Sequence, residues 1–334
     1  MSTTEALLSV TGLDVTYDSG GRRLRAVRDL AFELGEGETL GLIGESGCGK
    51  STVGRAITRL LPWTATVEGS ICFRGQDVRA LHGDALKRYR QEVQIIFQDP
   101  VSSLNPRRRI ANIIDEAMRI ATNLDQIQRH SRVRDCLGEV GLDVDAVADR
   151  YPHEFSGGQC QRISIARALA VDPMLIVCDE PVSALDVSVQ AQILNLLEDL
   201  RTRRRLALLF ISHDMAVVKN VSDRVMVMYL GRAMEGADGE TLCTAPRHPY
   251  SRALIASVPT LDQTVSPFSE TVLRAEAPSP FAPPPGCPLS DRCQRVLELC
   301  RVDWPKRTWP GQGHWLHCHN PAPEAAAVNT EDFQ

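Results

Sequence analysis

The sequence predicts an α/β fold of the phosphate-loop class, with an antiparallel β subdomain, a helical subdomain and a small Cys- and Pro-rich C-terminal extension. Three observations carry that expectation. Gly44 to Ser51 reads Gly-Glu-Ser-Gly-Cys-Gly-Lys-Ser, which fits G-x-x-x-x-G-K-S/T at every fixed position. Apolar, strand-like runs close at Ile43, Phe97, Cys178 and Ile211, and polar groups suited to phosphate, metal or water follow each of them. Ligands of an open α/β sheet bind beyond the carboxyl ends of its strands, so these polar sets converge by topology.

The loop comes first because its context is complete. Thr39 to Ile43 is a short apolar run, and Ser51 to Leu61 carries helical spacing, so the loop joins a strand to a helix. Gly44, Gly47 and Gly49 let the backbone curl around an anion without Cβ interference, aiming N–H groups and a helix end at it. Lys50 is expected to reach the β and γ phosphates, and Ser51 to offer its hydroxyl to bound Mg2+.

Composition sets the frame. At 334 residues the chain has room for one large domain and a smaller one, and 43% hydrophobic with 24% charged residues is ordinary for a globular protein. A net charge of −5 argues against a general nucleic-acid binder. No run approaches 18 apolar residues, and Met1 to Ser9 lacks a basic start followed by an apolar stretch, so a cytoplasmic location is expected. Six cysteines are scattered, whereas Cys287, Cys293, Cys300 and Cys318 cluster, and in a reducing compartment such a cluster reads as metal-binding before disulfide.

In chain order, Leu8, Val10, Leu13, Val15 and Tyr17 alternate with a slip at Gly12, and Val27 to Leu34 follows a Gly-Gly turn; both read as antiparallel strands. Tyr17 is placed equally well to stack on a purine or to pack across strands. Glu68 to Arg74 and Val93 to Phe97 are strand-like, the latter capped by Gln98, which either faces a metal-bound phosphate or is a surface amide. Arg109 to Ala121 and Gln126 to Val140 have helical spacing and form an insertion between strands, with Val133, Leu137 and Val140 on one face. Ser156-Gly157-Gly158 precedes the helical stretch Ile163 to Val171 and is an anion-ready N-terminus or simply a cap.

Leu175 to Cys178 is a buried strand ending in Asp179 and Glu180, and paired acids beyond a core strand have no cheap place inside. In a nucleotide hydrolase the first holds Mg2+ and the second polarises the attacking water. Ser183 to Asp186 turns into a helix with Val189, Ile193, Leu196, Leu197 and Leu200 on its apolar side. Leu206 to Ile211 then ends at His213, a lone histidine that again follows a strand of the sheet.

On these residues the chain resembles the ATPase subunit of an ABC transporter of the oligopeptide/dipeptide import subfamily, over essentially its whole length. The resemblance implies a P-loop, RecA-like core. It implies that Tyr17 is the adenine-stacking residue and that Gly44, Glu45, Ser46, Gly47, Cys48, Gly49, Lys50, Ser51 and Thr52 form the Walker A loop. Gln98 matches the Q-loop, and Ser156, Gly157, Gly158 and Gln159 the signature. Asp179 matches the Walker B aspartate, Glu180 the catalytic glutamate, Asp186 the end of the D-loop and His213 the switch histidine. Ser51, Gln98 and Asp179 are then the expected Mg2+ ligands, and Glu180, His213 and Gln98 the catalytic set. Cys160 departs from the family, where a long polar or basic residue is usual; tuning rather than loss of activity is expected.

The same resemblance divides the chain into an ATPase domain, 1–243, with a helical subdomain at about 100–170, and an extension, 244–334. Arg247-His248-Pro249-Tyr250, running on to Ser257-Val258-Pro259, matches the start of that extension, and Ala277 to Pro285 reads as a Pro-rich connector. The spacing Cys287-x5-Cys293-x6-Cys300-x17-Cys318, with His314, His317 and His319 nearby, lacks the usual zinc or ferredoxin pairs and does not by itself name a metal. The resemblance implies a 4Fe-4S cluster there, with zinc or unliganded thiols as alternatives.

By the same resemblance the chain works with a second ABC ATPase, often a paralogue, in a head-to-tail dimer that sandwiches ATP. Two transmembrane permease subunits and, indirectly, an extracytoplasmic substrate-binding protein complete the transporter, whose ATPase is peripheral on the cytoplasmic face of the inner membrane. Related ATPases import nickel, metallophore-bound metal or glutathione. A soluble ABC ATPase acting on DNA or ribosomes is the alternative of another class, but it would show a second phosphate loop or a long coiled-coil insertion, and neither is present.

Overall fold

A computed structural model describes residues 6–257, 273 and 278–323. Val258, Pro259 and Ala277, quoted above for the extension motif and connector, lie outside the described residues.

Strands β1 (Leu8–Ser19) and β2 (Arg22–Leu34) pair antiparallel across the Gly20-Gly21 turn. The slip at Gly12 is a break in register between Val10 and Leu13. β3 (Thr39–Ile43), buried at all five positions, runs through the phosphate loop into α1 (Lys50–Ile57). That helix stops short of the predicted Leu61. Arg59 adopts a left-handed backbone (φ 55°) and Leu60 N–H closes on the Arg55 carbonyl at 2.8 Å, while the Arg59 guanidinium donates to the Val78 and Leu81 carbonyls. β4 (Ala65–Phe73) returns beside β1, and β5 (Gln76–Asp77) completes a sheet ordered β2-β1-β4-β5.

Helix α2 (Gly83–Glu92) leads to β6 (Val93–Ile96), and the expected insertion follows as α3 (Ile110–Ala121), α4 (Gln126–Glu139), the short α5 (Val144–Val147) and α6 (Gly157–Leu169). Asp125 opens α4 through a capping box with Gln128, and Val133, Leu137 and Val140 are buried, as their spacing predicts. Next come β7 (Leu175–Asp179), α7 (Val187–Arg204), β8 (Ala207–Ser212), α8 (Met215–Val221), β9 (Arg224–Tyr229), β10 (Arg232–Asp238) and α9 (Gly239–Thr244). The extension supplies α10 (Pro249–Ala256), α11 (Glu298–Val302), β11 (Arg307–Gly311) and β12 (His314–His317).

The second sheet is ordered β11-β12-β10-β9-β3-β8-β7-β6, parallel from β9 to β6 and antiparallel from β9 to β11. Its central strands are buried on both faces, which is why they read as unbroken apolar runs. Leu40, Leu42, Val177, Leu209 and Ile211 face the antiparallel subdomain and α1, while Ile43, Ile176, Cys178, Leu208 and Phe210 face the helical side. Among the described residues, no helix is long and apolar enough to cross a membrane.

The extension continues this sheet rather than forming a separate layer. β12 pairs with β10, setting Leu316 against Glu235 and Trp315 against Gly236, and Tyr250, Cys287, Leu289 and Cys300 join the helical-side core. Glu235, fully buried, accepts from the N–H groups of Arg247 (2.7 Å) and His248 (3.0 Å) and contacts His314 Nε2 at 2.7 Å, so the start of the extension and β12 meet on one carboxylate. A Cβ on Gly236 would lie 2.5 Å from the Trp315 ring. Gly236→Val is therefore expected to push the indole off β10 and loosen β12. Limited proteolysis should cut residues 278–323 faster in that variant, and an unchanged digestion rate would refute the packing role of Gly236.

Candidate functional site

Tyr17, Gly44, Glu45, Ser46, Gly47, Gly49, Lys50, Ser51, Thr52, Gln98, Glu180 and His213 line one cleft of about 730 Å³. They come from β1, the phosphate loop, α1 and the carboxyl ends of β6, β7 and β8, so the convergence predicted from strand ends is present. A somewhat larger cavity, about 840 Å³ around Arg88, Arg132 and Asp172, contains none of the predicted site residues.

The phosphate loop has no room for side chains at two of its glycines. Gly44 (φ 157°) and Gly49 (φ 107°) would each put a Cβ 2.2 Å from a backbone oxygen, that of Met228 and of Ala26 respectively. Lys50 follows, 4% exposed, its ammonium donating to the carbonyls of Gly44 (2.7 Å) and Glu45 (3.0 Å). No carboxylate lies within ion-pair distance of it among the described residues. A buried cation held by two carbonyls and the Cys48 sulfur (3.7 Å), with no counter-charge, fits a polyanion such as the triphosphate of ATP. Cys48, also in the loop, is buried beneath it; burial pushes its thiol up, against the opposing pull of Lys50.

Ser51 Oγ donates to Asp179 Oδ1 at 2.7 Å. Asp179 is 4% exposed, and burial raises its carboxyl above the usual range even though the Ser51 hydrogen bond opposes this. A hydroxyl and a desolvated carboxylate in contact beside a phosphate loop are a donor set suited to Mg2+. Glu180 has a left-handed backbone (φ 49°), with its N–H on the Ile211 carbonyl at 3.0 Å. Its Oε2 accepts from Gln98 Nε2 (3.1 Å) and meets His213 Nδ1 (3.2 Å), so three residues from three strand ends share one carboxylate oxygen. Tyr17 lines the cleft, bonds to Thr52 through its hydroxyl (3.3 Å) and also pairs with Leu24 and Ala65, so both readings of it describe its position.

The signature residues lie elsewhere. Ser156, exposed, caps α6 by accepting from Gln159 N–H at 3.3 Å, and Gln159 Oε1 in turn accepts from Ser156 N–H at 3.0 Å. Gly158 packs against α7, where a Cβ would meet Val189 at 2.5 Å. None of Ser156, Gly157, Gly158, Gln159 or Asp186 lines the cleft. Cys160 is fully buried, its thiol against the Pro152 carbonyl (3.5 Å), so this departure from the family faces the core.

Two residues of the extension reach the phosphate loop. The Tyr250 hydroxyl accepts from Glu45 N–H at 2.9 Å, and Arg292 Nη1 lies 2.9 and 3.0 Å from the two Glu45 carboxylate oxygens. Arg292 was not singled out in the sequence; its partner is 247 positions away and no local spacing points to it.

Of the clustered cysteines, Cys287 and Cys300 are buried and Cys293 and Cys318 half-buried. Burial pushes the Cys287 and Cys318 thiols up to about 12; Cys287 feels the sulfurs of Cys300 and Cys293 electrostatically, and Cys318 those of Cys287, Cys293 and Cys300. The four are thus gathered into one neighbourhood of the right donor type. Among the described residues, however, no group of three or more His, Cys, Asp or Glu is arranged to hold a metal ion. The expectation of a formed metal centre is corrected to that extent: the sulfurs lie near one another without forming a coordination shell.

Two family descriptions match: ABC transporter over residues 27–183, and Oligopeptide/dipeptide transporter, C-terminal region, over residues 234–300. The chain is 46% identical over 312 residues to a putative peptide import ATP-binding protein of Brucella ovis, covering 93% of this chain and 97% of that one. It is 47% identical over 298 residues to the oligopeptide transport ATP-binding protein AppF of Bacillus subtilis, covering 89% of each. Among solved structures it resembles the dimeric post-hydrolysis ATP-binding cassette MJ0796 bound to ADP and Pi, with a TM-score of 0.62, 26% identity, and 69% of this chain and 98% of that chain covered.

The turn that delivers Tyr250 contains a titratable group. His248 is buried, its Nδ1 accepting from Tyr250 N–H at 3.1 Å; burial lowers its imidazole from the ordinary 6.5 to about 4, against Glu235, which raises it, and with His317, which lowers it. The folded state therefore binds fewer protons than the unfolded one between these values. The stability His248 contributes should be complete above about pH 6.5 and be lost as pH falls towards 4. Melting temperatures across that range should show the decline, and His248→Asn, which keeps an acceptor without the proton, should flatten it.

Proposed function

Because this chain belongs to the ABC transporter family and carries the oligopeptide/dipeptide transporter C-terminal region, we propose that the cleft is its ATP site and that its residues divide the work as follows. The protein is the ATP-binding and hydrolysing subunit of a peptide importer. Lys50 leaves the Gly44 and Glu45 carbonyls to contact the β and γ phosphates, and the loop amides hold the rest of the triphosphate. Ser51, Asp179 and Gln98 would hold Mg2+, which would supply positive charge to offset the negative charge that develops on the phosphates. Tyr17 stacks on the adenine.

Glu180 orients and polarises the attacking water. Gln98 and His213 share its Oε2, and this supports the reading: they hold the carboxylate in one rotamer, so the base is preorganised. His213 completes the γ-phosphate contacts. The signature residues Ser156 to Gln159 lie outside the cleft, with Ser156 and Gln159 exposed and Gly157 and Gly158 half-buried, which supports a head-to-tail dimer in which they close the site of a second ATPase, with Asp186 at the seam. That partner is a second copy or, more often in this subfamily, a paralogue, and the pair docks on two permease subunits at the cytoplasmic face of the inner membrane, with a substrate-binding protein on the far side.

The observation that carries this reading is the meeting of Lys50, Ser51 and the shared Glu180 carboxylate in one cleft, with Asp179 held behind it on the Ser51 hydroxyl. Lys50→Ala and Glu180→Gln should each lower ATPase turnover by about a hundredfold or more, and Glu180→Gln should retain ATP in a closed pair. Hydrolysis that survives Lys50→Ala would reject the site.

The domain division at 243/244 is proposed as a functional boundary, and the four thiols as a 4Fe-4S site. Support for the cluster is the shared electrostatic neighbourhood of the four sulfurs, with Cys318 close enough to feel the other three. Protein purified without air should be brown with broad absorbance in the blue, and Cys300→Ser should bleach it. Colourless protein with stoichiometric zinc would assign zinc instead.

A further inference from the structure

We propose that Arg292 and Tyr250, both from the C-terminal extension, are positioning residues for the phosphate loop and set its affinity for nucleotide. Glu45 is the sole acidic residue between Gly44 and Thr52. Left to itself, its carboxylate would stand beside the incoming triphosphate as a like charge, or turn inward and compete for Lys50. Arg292 prevents both by holding the two carboxylate oxygens at 2.9 and 3.0 Å.

The guanidinium is itself fixed. It donates to the Tyr229 hydroxyl at 3.2 Å and lies 5.7 Å from the Tyr229 ring centre, while the Tyr229 and Tyr250 rings pack 4.7 Å apart. With Arg292 11% and Glu45 33% exposed, the pair is shielded from solvent and worth more than a surface ion pair.

Glu45 is gripped at three points. Its side chain is on Arg292, its N–H on Tyr250 Oη (2.9 Å), and its carbonyl on the Lys50 ammonium (3.0 Å). When Lys50 turns to the phosphates, the two outer contacts keep the loop from following it, so the cradle holds its open shape. The extension, in this account, is a wall of the nucleotide site as well as an appendage of the domain. Arg292 directly precedes Cys293, so one short segment carries both this guanidinium and a thiol of the four-Cys site.

The proposal rests on the cleft being the ATP site, and the test separates the two. Full-length protein is titrated with a fluorescent ATP analogue and assayed for steady-state hydrolysis. Arg292→Gln should raise the Kd and KM about tenfold, with the loss falling on KM rather than kcat. Arg292→Lys should recover part of it, and Tyr250→Phe should raise Kd by a smaller factor. Glu45→Gln should make Arg292→Gln nearly silent, because the charge to be neutralised is gone.

An unchanged Kd in Arg292→Gln, a lower melting temperature with no change in Kd, or effects of Arg292→Gln and Glu45→Gln that multiply would each overturn it. If Arg292→Gln does not fold, Arg292→Lys and Tyr250→Phe decide by the same Kd criterion. Lys50→Ala is the control. Loss of activity there with an unaffected Arg292→Gln rejects this proposal alone, whereas activity in Lys50→Ala rejects the ATP site.

Discussion

The phosphate loop is wedged between backbone carbonyls of two different sheets, and that close fit governs the rest. Gly49 abuts the Ala26 oxygen of β2 and Gly44 the Met228 oxygen of β9, both at distances that exclude any Cβ. The wedge is stitched by backbone bonds, Gly231 N–H to Cys48 O and Arg28 N–H to Gly231 O, each 2.8 Å. The antiparallel subdomain therefore cannot shift against the parallel sheet without opening the loop. This is why Tyr17, on one sheet, is held at a set place relative to Gln98, Asp179, Glu180 and His213 at the ends of the other.

Charge placement follows from that rigidity. Lys50 and Asp179 are nearly inaccessible, and neither has an ionic partner of opposite sign within contact among the described residues; carbonyls, a thiol and a hydroxyl serve instead. Burying charges this way costs stability and persists only where surrounding structure imposes it. The left-handed backbone at Glu180 belongs to the same pattern. A triphosphate with its divalent cation would supply the missing counter-charges, so the features least favourable to the fold alone are those that suit the ligand. The extension adds to this wall, since β12 locks onto β10 and Glu235 ties down the turn that delivers Tyr250.

Much of this was legible residue by residue. The phosphate-loop glycines, the buried strands ending at Ile43 and Asp179, and the helical faces of Val133 and Leu137 follow from local sterics and periodicity, which act over a few residues. The β9-β10 hairpin and the strands of the extension were not predicted; for Arg307–Gly311 the reason is that a strand exposed at every position carries no burial pattern to read. The end of α1 was set by the Arg59 backbone and its bonds to Val78 and Leu81, outside the helix's own periodicity.

The sequence by itself determined the chemistry: a loop that can cradle phosphate, a serine for a metal, two acids after a core strand, and a polar residue after each neighbouring strand. Those are choices of residue type at short spacing, where covalent geometry leaves few alternatives. Tertiary structure alone decided which of them share an atom, as Gln98 and His213 share Glu180, and which stay apart, as the signature does from the cleft. It also brought Arg292 to Glu45 across 247 positions. Contacts of that span depend on how the sheet edges and helix faces are packed, and packing is a property of the whole chain rather than of any stretch within it.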